Sequence, residues 1–126
     1  YKIENHITFH GRLSDHDLKS CLANSDLFVM LSSVTGSGDV EGFGIALLEA
    51  NHFGLPCIGA KGCGIEDAID NDRTGRLITH ENADEFKTAL DDILSNYDQY
   101  KLNAKNWSSQ HSWSLIITQY TKALGL

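Results

Sequence analysis

Short apolar runs that do not alternate with polar residues are the strongest constraint on this chain. Leu27-Phe28-Val29-Met30-Leu31 is apolar throughout. A strand with one wetted face alternates, so an unbroken run suits a strand covered on both faces, as in a parallel sheet. Cys57-Ile58-Gly59-Ala60 and Gly75-Arg76-Leu77-Ile78 are two further strand candidates, and Ile7-Thr8-Phe9-His10, ending at Gly11, is a fourth. Helical patterns lie between them. Ser14 is a good N-cap with Asp17 three residues on, which predicts a helix over 15–23 with Leu18 and Leu22 facing inward. Residues 45–53 read as a helix stopped by Gly54 and Pro56. A short helix is expected over 66–69. Asn82 or Asp84 starts another, with Phe86, Leu90, Ile93 and Leu94 on one face, and two more cover about 97–107 and 113–124. Strands alternating with helices imply βαβ units, a parallel sheet and right-handed crossovers. The expected class is α/β, a Rossmann-like three-layer α/β/α domain. Four strands are few for a doubly wound sheet, so its first strands are expected upstream of Tyr1.

Composition narrows the partners. With 126 residues the chain holds one domain with a real core. The net charge of −7 repels phosphate backbones and anionic lipid at long range, which argues against nucleic acid as a partner. No stretch approaches the roughly 20 apolar residues of a bilayer span, and no basic-then-apolar leader opens the chain. Tyr1 in place of Met points to a segment of a longer protein, and membrane contact through another part of it stays open. Cys21, Cys57 and Cys63 are an odd number with apolar neighbours and read as reduced, cytosolic thiols. No Cys-x-x-Cys occurs and the histidines lack ligand spacing, so no metal is expected.

In an open parallel sheet, ligands bind beyond the carboxyl ends of the strands. The polar loop 32–40 leaves such an end and leads through Glu41-Gly42-Phe43-Gly44 into the helix at Ile45. Gly42 and Gly44 lack a Cβ, so a ligand can approach the backbone closely. The amides of Phe43, Gly44 and Ile45 should point out of the helix start, where they and the helix dipole favour a phosphate. Glu49 stands out, because Ile45, Ala46, Leu47, Leu48, Ala50 and Phe53 make this helix apolar nearly all round, and such a helix should be buried. A buried carboxylate needs partners. Sugar hydroxyls are one possibility, as with the acidic residue that grips ribose in dinucleotide sites. The plain alternative is a glutamate that reaches solvent or a distant lysine.

Glu41 and Glu49, in the run Glu-Gly-Phe-Gly-Ile-Ala-Leu-Leu-Glu-Ala, have seven residues between them. This resembles the Glu-x7-Glu motif of retaining GT-B glycosyltransferases, the large group that includes bacterial mannosyl- and glucosyltransferases of cell-envelope and polysaccharide synthesis. The resemblance runs along nearly the whole chain. Residues 7–12 resemble the strand and glycine loop that opens this half-domain, and Ser25-Asp26-Leu27-Phe28-Val29 resembles its "ADLFV" strand. Gly54-Leu55-Pro56-Cys57-Ile58 resembles "GLPVI", Gly62-Cys63-Gly64-Ile65-Glu66 resembles "GGxPE", and Thr74-Gly75-Arg76-Leu77-Ile78 resembles "TGxLV". Trp113 matches the aromatic that opens the last helix. The resemblance implies that the chain is the C-terminal, donor-binding half of a GT-B fold. It implies a cytoplasmic hexosyltransferase, peripheral to the membrane if the rest of the protein binds there, that uses a nucleoside-diphosphate sugar with retention and no metal. Glu49 would hold ribose hydroxyls and Glu41 the transferred sugar. The Phe43, Gly44 and Ile45 amides would hold the diphosphate or sugar hydroxyls, and Gly11 and Arg12 would border the base. The acceptor and a diphosphate-neutralising basic pair would belong to an upstream domain, leaving this half alone inactive. Cys63 and Ile65 depart from the family pattern, and Asn51 and His52 replace its small apolar residues.

Other readings are weaker. Gly36-Ser37-Gly38-Asp39-Val40-Glu41-Gly42 looks like a loosened dinucleotide fingerprint, but residues 32–35 separate it from the strand and no acidic residue closes the next strand. A non-catalytic nucleotide-sugar module, or a sugar-nucleotide epimerase of the same architecture, would share the donor site. His10 reads as a core or rim residue, Trp107 and Trp113 as packing anchors, and Asp91-Asp92 as a solvated helix face. Ser32 and Ser33 lack a nucleophile-elbow context.

Overall fold

The computed structural model describes residues 3–32 and 41–125. Three parallel strands form the sheet of the described residues, in the order β1 (Phe28–Met30), β2 (Cys57–Ala60), β3 (Gly75–Ile78). Phe28 pairs with Cys57, and Cys57 with Gly75. Every residue of β2 is buried, as expected of a central strand covered on both faces. Its side chains divide the core. Cys57 joins Leu22, Leu47, Ala50, Leu55, Ile65, Ala68 and Ile69, contributed largely by α1 (Asp15–Ala23), α2 (Ile45–His52) and α3 (Ile65–Ala68). Ile58 points the other way and packs with Ile78, Ala89, Ile93 and Tyr100, the last three from α4 (Ala83–Ser95) and α5 (Tyr97–Gln110). Helices therefore lie on both faces, which is the expected three-layer α/β/α arrangement. A final helix, α6 (Trp113–Ala123), buries none of its residues.

Local chemistry sets the boundaries. The Ser14 hydroxyl accepts from the Asp17 amide at 3.2 Å and starts α1 at Asp15, as the sequence predicts. Asn82 caps α4 by accepting from the Glu85 amide at 3.0 Å, which decides between the two predicted starts. The Trp107 indole N–H donates to the Ala68 carbonyl at 3.0 Å, so this residue is the anchor it was expected to be. Cys57 is fully buried, and burial pushes its thiol up to about 12. Cys21, Cys57 and Cys63 are all free thiols. No helix of the described residues is long and apolar enough to cross a membrane.

Several expectations fail for identifiable reasons. Residues 7–10 form no strand; Ile7 has extended dihedrals but no ladder partner, and Phe9 is 93% exposed. Extended propensity without a neighbouring strand leaves the backbone unpaired. The run 27–31 shortens to a three-residue edge strand. Val29 is level with Ile58 but remains 43% exposed, because the α4–α5 layer covers β2 and not this edge. Leu22 is buried, whereas Leu18 is exposed beside a groove between α1 and α2. Leu94 is exposed too; Ala89 and Ile93 carry the inner face of α4. Trp113 is no packing anchor, being 76% exposed. Asp91 pairs on the surface with Lys87, but Asp92 accepts from Arg76 at 2.9 Å and from the Tyr100 hydroxyl. It thus ties α4 to β3 and α5 instead of facing solvent.

Candidate functional site

The carboxyl ends of β1 and β2 and the start of α2 converge on one edge of the domain. Three loops are joined there by hydrogen bonds. The Cys63 thiol donates to the carbonyl of Ser32, just past β1, at 3.5 Å. The Lys61 amide, just past β2, donates to the carbonyl of Ile78 at 2.8 Å. The Gly64 amide donates to the carbonyl of Glu41 at 2.9 Å. The β2–α3 loop is thereby attached to the ends of β1 and β3 and to the segment that opens α2.

That segment is built around Glu41. Its carboxylate accepts from the Gly44 amide at 3.0 Å, across the first turn of α2. A carboxylate on a helix N-terminus is favoured by the dipole and by a charge-assisted bond. The bond takes one of the three amides expected to receive a ligand. Those of Phe43 and Ile45 flank it on the same turn.

The two glycines have different causes. Gly44 is buried with φ at +80°, and a Cβ there would meet Leu47 Cδ1 at 2.9 Å and Ile65 Cγ1 at 3.5 Å. The left-handed turn into α2 therefore requires its glycine by itself, apart from any approach of a ligand. Gly42 is exposed, outside the left-handed region, with nothing among the described residues within 4 Å of a built Cβ. Of the two glycines, Gly42 is the one with open space beside it among the described residues.

Glu49 is on the surface. Its helix is not buried all round, since Ile45 is 63% exposed. The buried-carboxylate argument therefore fails, and the solvent-facing alternative describes the position. Glu49 stands on a ridge between two grooves. One, of about 530 Å³, includes Asp15, Leu18, Leu22 and Phe53. The other, of about 510 Å³, runs between α2 and the α5–α6 junction and includes Phe43, Ile45, His111 and Trp113. Phe43, Ile45 and Glu49 are thus brought onto one groove, while Glu41, Gly42 and Gly44 are their chain neighbours at the start of α2 and are not among its lining residues. Gly11 has φ at +61° and, like Arg12, is exposed on the loop before α1; neither lines these grooves.

Sequence reasoning missed two contributors. His111 stacks on Trp107 with ring centroids 4.4 Å apart and lies 6.4 Å from the Phe43 ring. Its Nδ1 is 2.9 Å from the Trp107 carbonyl, which fixes the proton on that nitrogen. Gly64, not Gly62, is the glycine that packing demands in its loop, since a Cβ on Gly62 would meet nothing among the described residues. Neither has a local sequence signal, because both depend on segments distant in the chain. The rival fingerprint glycines Gly36 and Gly38 lie outside the described residues. Among the described residues no three His, Cys, Asp or Glu side chains gather in a way that could hold a metal ion.

An open parallel sheet with helices on both faces, and a glycine-bearing helix start beyond its carboxyl edge, defines a Rossmann-like α/β domain. The chain belongs to the glycosyl transferases group 1 family, whose family model matches residues 1–109. It is 31% identical over 98 residues to the GDP-mannose-dependent alpha-(1-6)-phosphatidylinositol monomannoside mannosyltransferase of Mycobacterium tuberculosis, covering 77% of this chain and 26% of that protein. It is 34% identical over 84 residues to the putative colanic acid biosynthesis glycosyltransferase WcaL of Escherichia coli, covering 66% of this chain and 20% of that protein. The chain thus spans about a quarter or less of the length of these relatives. Among solved structures it superposes on Anabaena Alr3699/HepE in complex with UDP, with a TM-score of 0.73 at 21% identity over 98% of this chain and 33% of that one. It also superposes on the pneumococcal O-GlcNAc transferase GtfA in complex with UDP and GlcNAc, with a TM-score of 0.66 at 19% identity, covering 98% and 25%. The fold is that of a GT-B glycosyltransferase domain.

Proposed function

We propose that this chain is the donor-binding domain of a two-domain retaining glycosyltransferase. The enzyme transfers a hexose-type sugar from a nucleoside-diphosphate sugar to an acceptor, in cell-envelope or polysaccharide glycan synthesis. Glu49 grips the ribose hydroxyls from its ridge, where its carboxylate is open to a ligand. The diphosphate approaches over Gly42 toward the amides of Phe43 and Ile45, favoured by the start of α2. Glu41 faces the transferred sugar, its carboxylate oriented by the Gly44 amide. Gly11 and Arg12 border the base. No metal takes part in the proposal; positive charge for the diphosphate comes from a basic pair in the rest of the enzyme. The acceptor sits on the other domain, because bringing both reactants together accounts for about 7–11 kcal/mol of barrier lowering and needs both walls of the cleft.

The observation that carries this reading is the bond from the Gly44 amide to the Glu41 carboxylate at 3.0 Å. It fixes an acidic group beside a helix start at the carboxyl edge of a parallel sheet, with Glu49 on the same helix. The relatives support it: one is described as GDP-mannose-dependent, and the superposed structures hold UDP. The test is a transfer assay on the full-length enzyme with UDP-glucose and GDP-mannose, reading the product's anomeric configuration by NMR. Transfer with retention, lost in Glu41→Gln and weakened in donor KM by Glu49→Gln, is the expected result. Transfer with inversion, or full activity in both variants, contradicts the proposal.

A further inference from the structure

We propose that Gly64 is a positioning residue for Glu41, acting through the main chain and touching no substrate. This rests on the sugar-facing role proposed for Glu41. Two bonds hold that residue, one at each end. Its carboxylate accepts from Gly44 at 3.0 Å and its carbonyl accepts from the Gly64 amide at 2.9 Å. The first orients the side chain, and the second sets where the backbone that carries it lies.

Gly64 has φ −61° and ψ −10°, a conformation open to any residue. Backbone freedom therefore does not explain a glycine here. Close approach does. A Cβ on Gly64 would lie 2.0 Å from the carbonyl oxygen and 2.2 Å from the carbonyl carbon of Gly42, and 2.8 Å from the Glu41 carbonyl oxygen. All three are backbone atoms, so no flexible side chain can turn aside.

The rest of the loop cannot yield either. Lys61 is bonded to Ile78, the Gly62 amide donates to Glu66 at 2.7 Å, and Cys63 is bonded to Ser32. Ile65, the next residue, is fully buried in the core. What is left to move is the 41–42 segment. Relieving the overlap with an added methyl requires a displacement on the order of 1 Å, a misplacement that costs about a hundredfold where reacting groups must be aligned. Glu49 sits more than a turn into α2 and is not part of this contact. The same shift moves the Gly42 carbonyl and with it the Phe43 amide on the diphosphate's approach, so Gly64→Ala weakens the plain diphosphate as well and the sugar nucleotide further.

The test measures binding to this chain with UDP and GDP against UDP-glucose and GDP-mannose as probes. Glu41→Ala is expected to weaken the sugar nucleotide about tenfold while leaving the plain diphosphate nearly unchanged, as loss of one charge-assisted bond implies. Gly64→Ala should weaken the sugar nucleotide more than the plain diphosphate, and this extra loss on the sugar nucleotide should vanish when Gly64→Ala is made in the Glu41→Ala background. If Glu41→Ala is selective and Gly64→Ala leaves both affinities unchanged, or lowers both alike, the positioning role is overturned and the role of Glu41 stands. If Glu41→Ala is not selective, the sugar-facing role itself falls and Gly64 loses its function with it. Hydrogen exchange of the Gly64 amide in the unmodified chain decides the matter even if Gly64→Ala does not fold. Slow exchange supports the bond to Glu41, and exchange at the rate of an open loop amide overturns it.

Discussion

Valine at Gly42 and valine at Gly44 are expected to have opposite consequences although the two positions are two residues apart. Among the described residues nothing lies within 4 Å of a Cβ at Gly42, and its φ is outside the left-handed region. Gly42→Val should therefore change stability by no more than about 0.5 kcal/mol. Its side chain would stand where the diphosphate approaches the Phe43 and Ile45 amides. Losing one charge-assisted bond there costs about 1.5–3 kcal/mol, so nucleotide affinity should fall about ten- to a hundredfold. Gly44→Val meets the reverse situation. Its φ of +80° is costly for a residue with a Cβ, by roughly 1–2 kcal/mol, and Leu47 Cδ1 at 2.9 Å adds overpacking of about 1–3 kcal/mol. A loss of roughly 2–5 kcal/mol should lower the melting temperature by about 10–20 °C. Thermal melts followed by isothermal calorimetry with UDP and GDP check both halves. Gly42→Val binding as well as the parent, or melting as low as Gly44→Val, would refute the assignment of Gly42 to the approach and Gly44 to the turn.

Glu49→Gln should leave the melting temperature unchanged, because Glu49 is exposed, and weaken nucleoside diphosphates about tenfold or more in calorimetry. Asp92→Ala should cost about 1 kcal/mol in urea unfolding, since it leaves the Tyr100 hydroxyl without its acceptor and removes one of two partners of Arg76, which keeps Asp72. The Cys57 thiol is raised to about 12, so above its ordinary value of 9.0 the unfolded chain releases a proton that the folded chain retains. Stability should then fall as pH rises from about 9 toward 12, and less steeply in Cys57→Ala, as denaturant midpoints at pH 8 and 10 will show. A thiol-specific reagent at neutral pH should modify Cys21 and Cys63 well before Cys57.

The parts of the fold legible in the sequence are those fixed by neighbours along the chain. α1 begins at Asp15 because Ser14 caps it, and β2 and β3 lie where short apolar runs follow helix stops. The parts that were not legible depend on distant partners. Residues 7–10 have strand propensity, but a strand exists only where another one pairs with it. Apolar residues all round α2 suggested burial, yet Ile45 and Leu48 border an open groove that α6 only flanks. Asp92 looked solvated until Arg76 and Tyr100, 16 and 8 residues away, closed on it. At the site, the spacing of Glu41 and Glu49 on either side of a helix start was readable. That Gly64 presses on Gly42 and bonds to Glu41 depends on two loops separated in the chain meeting.

The most direct test of the donor-site account is an NMR titration of this chain with UDP and GDP. Binding should be weak, in the millimolar range, because the −7 charge opposes a dianionic ligand. Amide shifts should concentrate at Gly42, Phe43, Gly44, Ile45 and Glu49, with a second group at Gly11 and Arg12. Shifts confined to other surfaces, such as the groove formed by Asp70, Arg73 and Asn103, or a stronger response to a nicotinamide dinucleotide at Gly36 and Gly38, would contradict it.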